Sequence, residues 1–313
     1  MQMFKTKKIS QEDLPISEKT ACTIGNFDGF HIGHQKILNL LKEEAKKHNL
    51  KSVVITFDPH PKKFFKNEDI CTITNIETRL AFLSKMDIDY MLIIKFNEQF
   101  YKKSPQEFFK FLKEKVNCNL IIVGEDWKFG YKKSGDIFLA KDLGKTFDIK
   151  VISVKPEIKE GRKISSTYIR KLLKEGKVDE LQNYLGRKYC ILGKVVKGSG
   201  KGKKIGFPTI NVRLPKDMCL KRGVYAGYVI IENKFYPAAI NYGTRPTLDG
   251  KSEFLEAHLL TSLKEDIRLE YIKVIFEKFI REEKKFSDIN QLTNQIKKDI
   301  DKIKEVLRKN ESS

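Results

Sequence analysis

Two histidines three residues apart, His31 and His34, stand in a stretch suited to holding phosphate: Gly25-Asn26-Phe27-Asp28-Gly29-Phe30-His31-Ile32-Gly33-His34. Before it, Ala21 to Ile24 is a run of small and β-branched residues that reads as a buried strand ending at a glycine. After it, Gln35 to His48 places Ile37, Leu38, Leu40, Leu41 and Ala45 at helical spacing, with lysines and glutamates opposite. The histidine spacing puts both imidazoles on one face of the helix's first turn. Gly25, Gly29 and Gly33 let a ligand approach the backbone, and the free N–H groups and helix dipole favour an anion there. A metal site would need a third ligand at matching spacing, and the sequence offers none. Either histidine taken singly also fits a plain structural role.

Other residues could join this chemistry. Ser52 to Phe57 reads as a second buried strand, ended by Asp58-Pro59-His60-Pro61. Ligands of open parallel sheets bind at such strand ends, so His60 is expected to face the same cleft, with a plain proline turn as the alternative. Leu120 to Val123 runs into Gly124-Glu125-Asp126-Trp127-Lys128-Phe129-Gly130. There the carboxylate pair Glu125-Asp126 beside the single tryptophan, Trp127, offers a polar handle next to an aromatic platform for a flat ring, or else a surface turn. Farther on, Ser165, Ser166 and Thr167 open a helix, with Ser165 or Ser166 as its cap and Arg162, Lys163 and Arg170 around its positive end.

The C-terminal third holds a second group. Gly198 to Asn211 is rich in glycine and lysine but fits no Walker pattern. It reads either as a flexible hairpin with solvated lysines or as a flap holding ATP phosphates. In the second case its amides and lysines hold the phosphates, and Thr209 and Asn211 offer oxygens to Mg²⁺. In Leu255-Glu256-Ala257-His258-Leu259-Leu260, strand alternation puts Glu256 and His258 on one face. If that face lines a cavity, Glu256 can accept a proton from an attacking hydroxyl; a solvent-facing polar side is the ordinary alternative.

The elements that must position these residues change character along the chain. Helices at Ile76 to Met86, Pro105 to Val116 (capped by Ser104) and Ile137 to Thr146 alternate with strands at Tyr90 to Phe96, Leu120 to Val123 and Ile149 to Val154. Such alternation predicts an α/β domain with a Rossmann-like parallel sheet. Beyond Leu185-Gly186, six strand patterns follow without helices: Tyr189 to Lys197, Phe207 to Leu214, Gly223 to Ile231, Lys234 to Asn241, Phe254 to Leu260 and Ile267 to Phe279. They predict a small antiparallel β-barrel, followed by an amphipathic C-terminal helix capped by Ser287. The expected domains are residues 1–186 and 187–313.

The 313 residues carry a net charge of +20. The lysines fall mostly opposite apolar helix faces, and no aromatic-interleaved basic strand reads bases, so small polyanions are expected rather than nucleic acid. Five cysteines without a Cys-x-x-Cys pair argue against a disulfide framework. With no apolar run of membrane length and no signal peptide after Met1, the expected location is the cytoplasm.

His-x-Gly-His at a strand-to-helix turn resembles the nucleotidylyltransferase superfamily, and the longer Gly25-to-His34 match resembles its flavin-adenylating branch. Gly124 to Gly130 is similar to that branch's Gly-x-Asp/Asn-x-x-Phe-Gly segment, and Ile164-Ser165-Ser166-Thr167-Tyr168-Ile169-Arg170 resembles its second, triphosphate-binding signature. Gly206-Phe207-Pro208-Thr209-Ile210-Asn211, Gly223-Val224-Tyr225-Ala226, Asn241 to Thr247 and Leu255 to Leu260 resemble the riboflavin kinase module. End to end, the chain resembles the bacterial bifunctional riboflavin kinase/FAD synthetases. The resemblance implies a catalytic set of His31, His34, Arg170 and Glu256. It implies adenylyltransferase ATP contacts at Gly25, Phe27, Asp28, Gly33, Ser165, Ser166 and Thr167, and flavin contacts at His60, Asp126, Trp127 and Phe129. For the kinase it implies ATP contacts at Gly198, Lys203, Gly206, Pro208, Thr209 and Asn211, with Mg²⁺ on Thr209 and Asn211. Lys203 stands where an arginine is expected and Asp266-Ile267-Arg268-Leu269 where Asp-Leu-Tyr-Gly is, so the fine phosphate and flavin contacts differ.

The expected partners are riboflavin, FMN and ATP, with no nucleic acid and no membrane; self-association is left open. Two alternatives stand beside this. Class I aminoacyl-tRNA synthetases share His-x-Gly-His, which would make the chain a tRNA-binding or aminoacylating enzyme. A non-catalytic flavin-binding module is the other.

Overall fold

The computed structural model describes residues 4–65, 70–159, 161–198, 200–215, 217–247, 250–261 and 270–311. The chain divides into two compact units, residues 1–70 with 79–165 and residues 71–78 with 166–313.

The first unit is built on a parallel six-stranded sheet of β1 (Lys7–Ser10), β2 (Thr20–Ile24), β3 (Lys51–Asp58), β4 (Tyr90–Lys95), β5 (Cys118–Gly124) and β6 (Lys150–Val154), in the order β1-β4-β3-β2-β5-β6. All five residues of β2 are buried, as expected for a strand covered on both faces. Around the sheet run α1 (Ile32–Lys47), α2 (Pro61–Phe64), α3 (Ile76–Lys85), α4 (Glu98–Tyr101), α5 (Pro105–Val116) and α6 (Ile137–Phe147). The Ser104 hydroxyl caps α5 at the Glu107 amide while the Glu107 carboxylate accepts from the Ser104 amide, and Pro105 fills the first helical position. A small hairpin of β7 (Ile158–Lys159) and β8 (Arg162–Lys163) follows the sheet. It went unforeseen, as did β1, in which only Ile9 is buried.

The second unit is a closed antiparallel barrel of β9 (Cys190–Val196), β10 (Ile210–Arg213), β11 (Gly223–Ile231), β12 (Lys234–Thr247), β13 (Gly250–Leu259) and β14 (Tyr271–Arg281), in the order β10-β13-β12-β11-β14-β9. Its core includes Ile169, Leu172 and Leu173 of α7 (Ser166–Glu175) and Leu185 of α8 (Gln182–Leu185). Three expectations need correction. The Gly198–Asn211 segment contains a helical turn, α9 (Lys201–Lys204), where one alternative was a flexible hairpin. The C-terminal helix α10 (Ile289–Glu311) is capped by Asp288, whose Oδ1 accepts from the Gln291 amide at 2.8 Å, and not by Ser287. Cys71 and Cys219 form a disulfide, 148 residues apart in sequence with Cα atoms 4.8 Å apart, whereas the scattered cysteines argued against one. The strand expected to begin at Ile267 is seen from Tyr271, and Asp266 to Leu269 lie outside the described residues.

Candidate functional site

In the first unit, β2 ends and the chain turns through Gly25 to Phe30 before entering α1. His31 is the N-cap: its Nδ1 accepts from the His34 amide at 3.2 Å, which leaves Nε2 to carry the proton of the neutral ring. The His34 ring stacks on it with centroids 3.6 Å apart and planes 15° from parallel. Gly33 packs closely beneath this pair: a Cβ there would lie 3.3 Å from His31 Nδ1, so a larger residue would press on the ring. Phe27 sits 5.0 Å from the His34 ring. Asp28 is buried, and its Oδ1 pairs with Arg79 Nη2 at 3.3 Å.

The same turn borders a cavity of about 600 Å³, lined by Gly25 and Asn26 and walled by Phe57, Phe96, Trp127 and Phe129. Trp127 and Phe129 stack on each other at 4.3 Å with planes 12° apart and form part of this aromatic wall. Five lysines, Lys62, Lys103, Lys128, Lys132 and Lys133, line it, and no carboxylate among the described residues does. Asn26 Oδ1 is buried without a hydrogen-bond partner among the described residues. His60 and Asp126 lie outside this lining. His60 caps α2 by accepting from the Lys62 amide at 3.2 Å, and Asp126 is an exposed carboxylate paired with Lys163. Ser165 belongs to the first unit. Ser166, Thr167 and Arg170 lie on α7 in the second, where Arg170 Nε donates to the Cys71 carbonyl at 2.9 Å.

The barrel holds a second cavity of about 550 Å³, lined by Thr209, Asn241, Glu256, His258, Arg281 and Asp299 among others. Leu255 and Ala257 are fully buried on the other face of β13, so the alternation resolves as the sequence predicts and the glutamate side faces the cavity. Asn211 of β10 and Asn241 of β12 are the cross-strand neighbours of Glu256 on either side. Asn211 is 7% exposed, and its Oδ1 has no hydrogen-bond partner among the described residues. Gly198 packs so closely that a Cβ would fall 2.2 Å from Asn211 Nδ2. A His258 ring nitrogen lies 2.8 Å from the Pro208 carbonyl, which fixes the Gly-Phe-Pro-Thr segment against β13. Gly206 takes φ +86°, a value that favours glycine, and Lys203 is exposed on α9.

Sequence reasoning missed Arg79, the lysine ring, and the Arg281–Asp299 pair, in which Nε and Nη2 reach the carboxylate at 2.7–2.9 Å. Only the aromatic wall had a local signal, in the density of phenylalanines from Phe96 to Phe111. No described helix is long and apolar enough to cross a membrane.

Comparison with known proteins divides the chain between two families. The FAD synthetase family matches residues 13–168 and the riboflavin kinase family residues 185–307. A bifunctional riboflavin kinase/FMN adenylyltransferase of Buchnera aphidicola (subspecies Schizaphis graminum) is 39% identical over 92% of this chain and 94% of its own. Its counterpart in Escherichia coli K12 is 35% identical over 90% and 91%. A crystal structure described as a macrolide-efflux protein from Streptococcus pneumoniae matches with TM-score 0.76 and 32% identity, covering 94% of this chain and 97% of that one. With relatives of this identity spanning nearly its whole length, the chain belongs to the bifunctional riboflavin kinase/FMN adenylyltransferase family.

Proposed function

We propose that residues 187–313 phosphorylate riboflavin to FMN with ATP, and that residues 1–186 adenylylate FMN with a second ATP to give FAD and pyrophosphate. The observation that carries the kinase half is Glu256 facing the barrel cavity between Asn211 and Asn241. Glu256 accepts the proton of the ribityl 5′-hydroxyl as that oxygen bonds to the γ-phosphorus and the bond to the ADP oxygen breaks. The buried Oδ1 of Asn211, which has no hydrogen-bond partner among the described residues, lies beside Thr209 and suits a hard cation. Thr209 and Asn211 would hold Mg²⁺, which supplies charge neutralisation at the triphosphate. Gly198, Lys203, Gly206 and Pro208 shape the ATP flap around them.

The FMN phosphate is already ionised near neutrality, so adenylylation needs in-line placement and charge neutralisation more than a base. His31, His34, Ser165, Ser166, Thr167 and Arg170 are assigned to the triphosphate, with Gly25, Phe27, Asp28 and Gly33 forming the turn. Trp127 and Phe129 are assigned to the isoalloxazine, together with His60 and Asp126. The same reading includes a cytoplasmic location and small-molecule partners only. The tRNA-directed and non-catalytic alternatives gain nothing from relatives named for two enzymatic activities. The test is incubation with riboflavin, ATP and Mg²⁺ followed by chromatography. FMN accumulates first and FAD follows; a folded protein that forms neither ends the reading.

A further inference from the structure

Arg79 belongs to none of the motifs and lies 51 residues from Asp28, yet it is the buried anchor of the turn that carries them. It is 9% exposed; its Nη1 donates to the Asn26 carbonyl at 3.3 Å and its Nη2 to Asp28 Oδ1 at 3.3 Å. Thr56 Oγ1 donates to the same Asn26 carbonyl at 3.2 Å. Asp28 is 1% exposed, so removing either partner disturbs a charged contact inside the protein. The turn needs such anchoring. Phe27 and Phe30 both adopt φ +44° and Gly29 +90°, and two phenylalanines in the left-handed region persist only where their surroundings fix them. What the turn presents is the Phe27 ring against His34, the His31 cap of α1, and the Asn26 side chain, its Oδ1 buried, at the cavity.

We infer that Arg79 is a positioning residue for FMN adenylylation, gripping the turn at two points so that the histidine pair and the Asn26 amide keep their places. This rests on the adenylylation reading above. A lysine would keep the charge but could not serve the carbonyl and the carboxylate with one planar fork.

The bifunctional chain supplies its own controls. The parent must first convert FMN and ATP to FAD; if it does not, the adenylylation reading has failed and not the role of Arg79. Trp127 is the chain's single tryptophan and lies in the first unit, so its fluorescence melt reports whether that unit is folded at the assay temperature. Arg79→Lys, with a parental Trp127 melt, should lose about tenfold in kcat/KM for FAD formation, and Arg79→Ala about a hundredfold. FMN formation from riboflavin should stay within about twofold of the parent in both. Asp28→Asn combined with Arg79→Ala should cost little more than the worse single change, because the two act as one clamp. Parental FAD kinetics in a folded Arg79→Lys overturns the inference. So does a loss that merely tracks the unfolded fraction seen by Trp127, which would make Arg79 a residue of stability alone.

Discussion

Glu256 stands between Asn211 and Asn241 on the two strands flanking β13, and neither amide can take a proton from an alcohol. The carboxylate is therefore the one base in that row, and Glu256→Gln keeps the shape while removing the base. FMN formation should fall by about 10²- to 10⁴-fold, while FAD formation from supplied FMN persists. The double change His31→Ala, His34→Ala should do the reverse, abolishing FAD and sparing FMN. Following both products by chromatography in each variant checks this. Equal loss of both steps in a folded protein would mean that the two residue groups do not serve separate reactions.

At the scale of elements, the edge where β3 and β4 begin is tied by Asp89. Its Oδ2 accepts from the Ser52 amide at 2.9 Å and the Ser52 hydroxyl at 2.7 Å, and Lys51 Nζ lies 3.1 Å from Oδ1. Partial burial pushes the Asp89 carboxyl up, but the bonds from Ser52 and Lys51 outweigh it and hold the group below its ordinary value. A carboxylate with a lowered folded pKa contributes stability that is present above its unfolded pKa and lost as pH falls through the folded one. The side chain keeps about a third of its exposure, so Asp89→Asn should cost only about 1 kcal/mol near neutrality. That difference should vanish in acid, below the lowered pKa. Trp127 melts of parent and variant from pH 7 down to pH 3 measure it; a constant gap across the range would show that the charge contributes nothing. The elements themselves differed in legibility. β2, β3 and β5 announce themselves as unbroken apolar runs because both faces are covered, and α5 because its cap, proline and acidic first turn are adjacent in sequence. Asp288 took the cap from Ser287 because both are good caps one residue apart, and only the Gln291 amide decides between them.

Across the whole molecule, what was hidden depends on sequence distance. Arg79 meets Asp28 from 51 residues away, and Cys71 meets Cys219 across 148, so neither pair leaves a local pattern. The two cavities were legible as motifs, but their unlike electrostatics were not. The first is lined by five lysines and, among the described residues, by no carboxylate, although Asp136 pairs with Lys128 at 3.5 Å; the second mixes Arg281 and Lys284 with Glu256, Glu283 and Asp299. The net charge of +20 acts on every anionic ligand alike, but the lysine ring acts only at the first unit's cavity. Salt should therefore separate the two flavins. Raising ionic strength from roughly 0.05 to 0.5 M shortens the screening length from about 14 to about 4 Å. KM for FMN, a phosphate-bearing anion, should rise severalfold in the FAD-forming step with kcat little changed. KM for uncharged riboflavin in the kinase step should stay nearly constant, while KM for ATP rises in both. Steady-state kinetics over that salt range test it directly. An FMN dependence as flat as that of riboflavin would show that the ring of lysines is a solvated surface rather than part of flavin recognition.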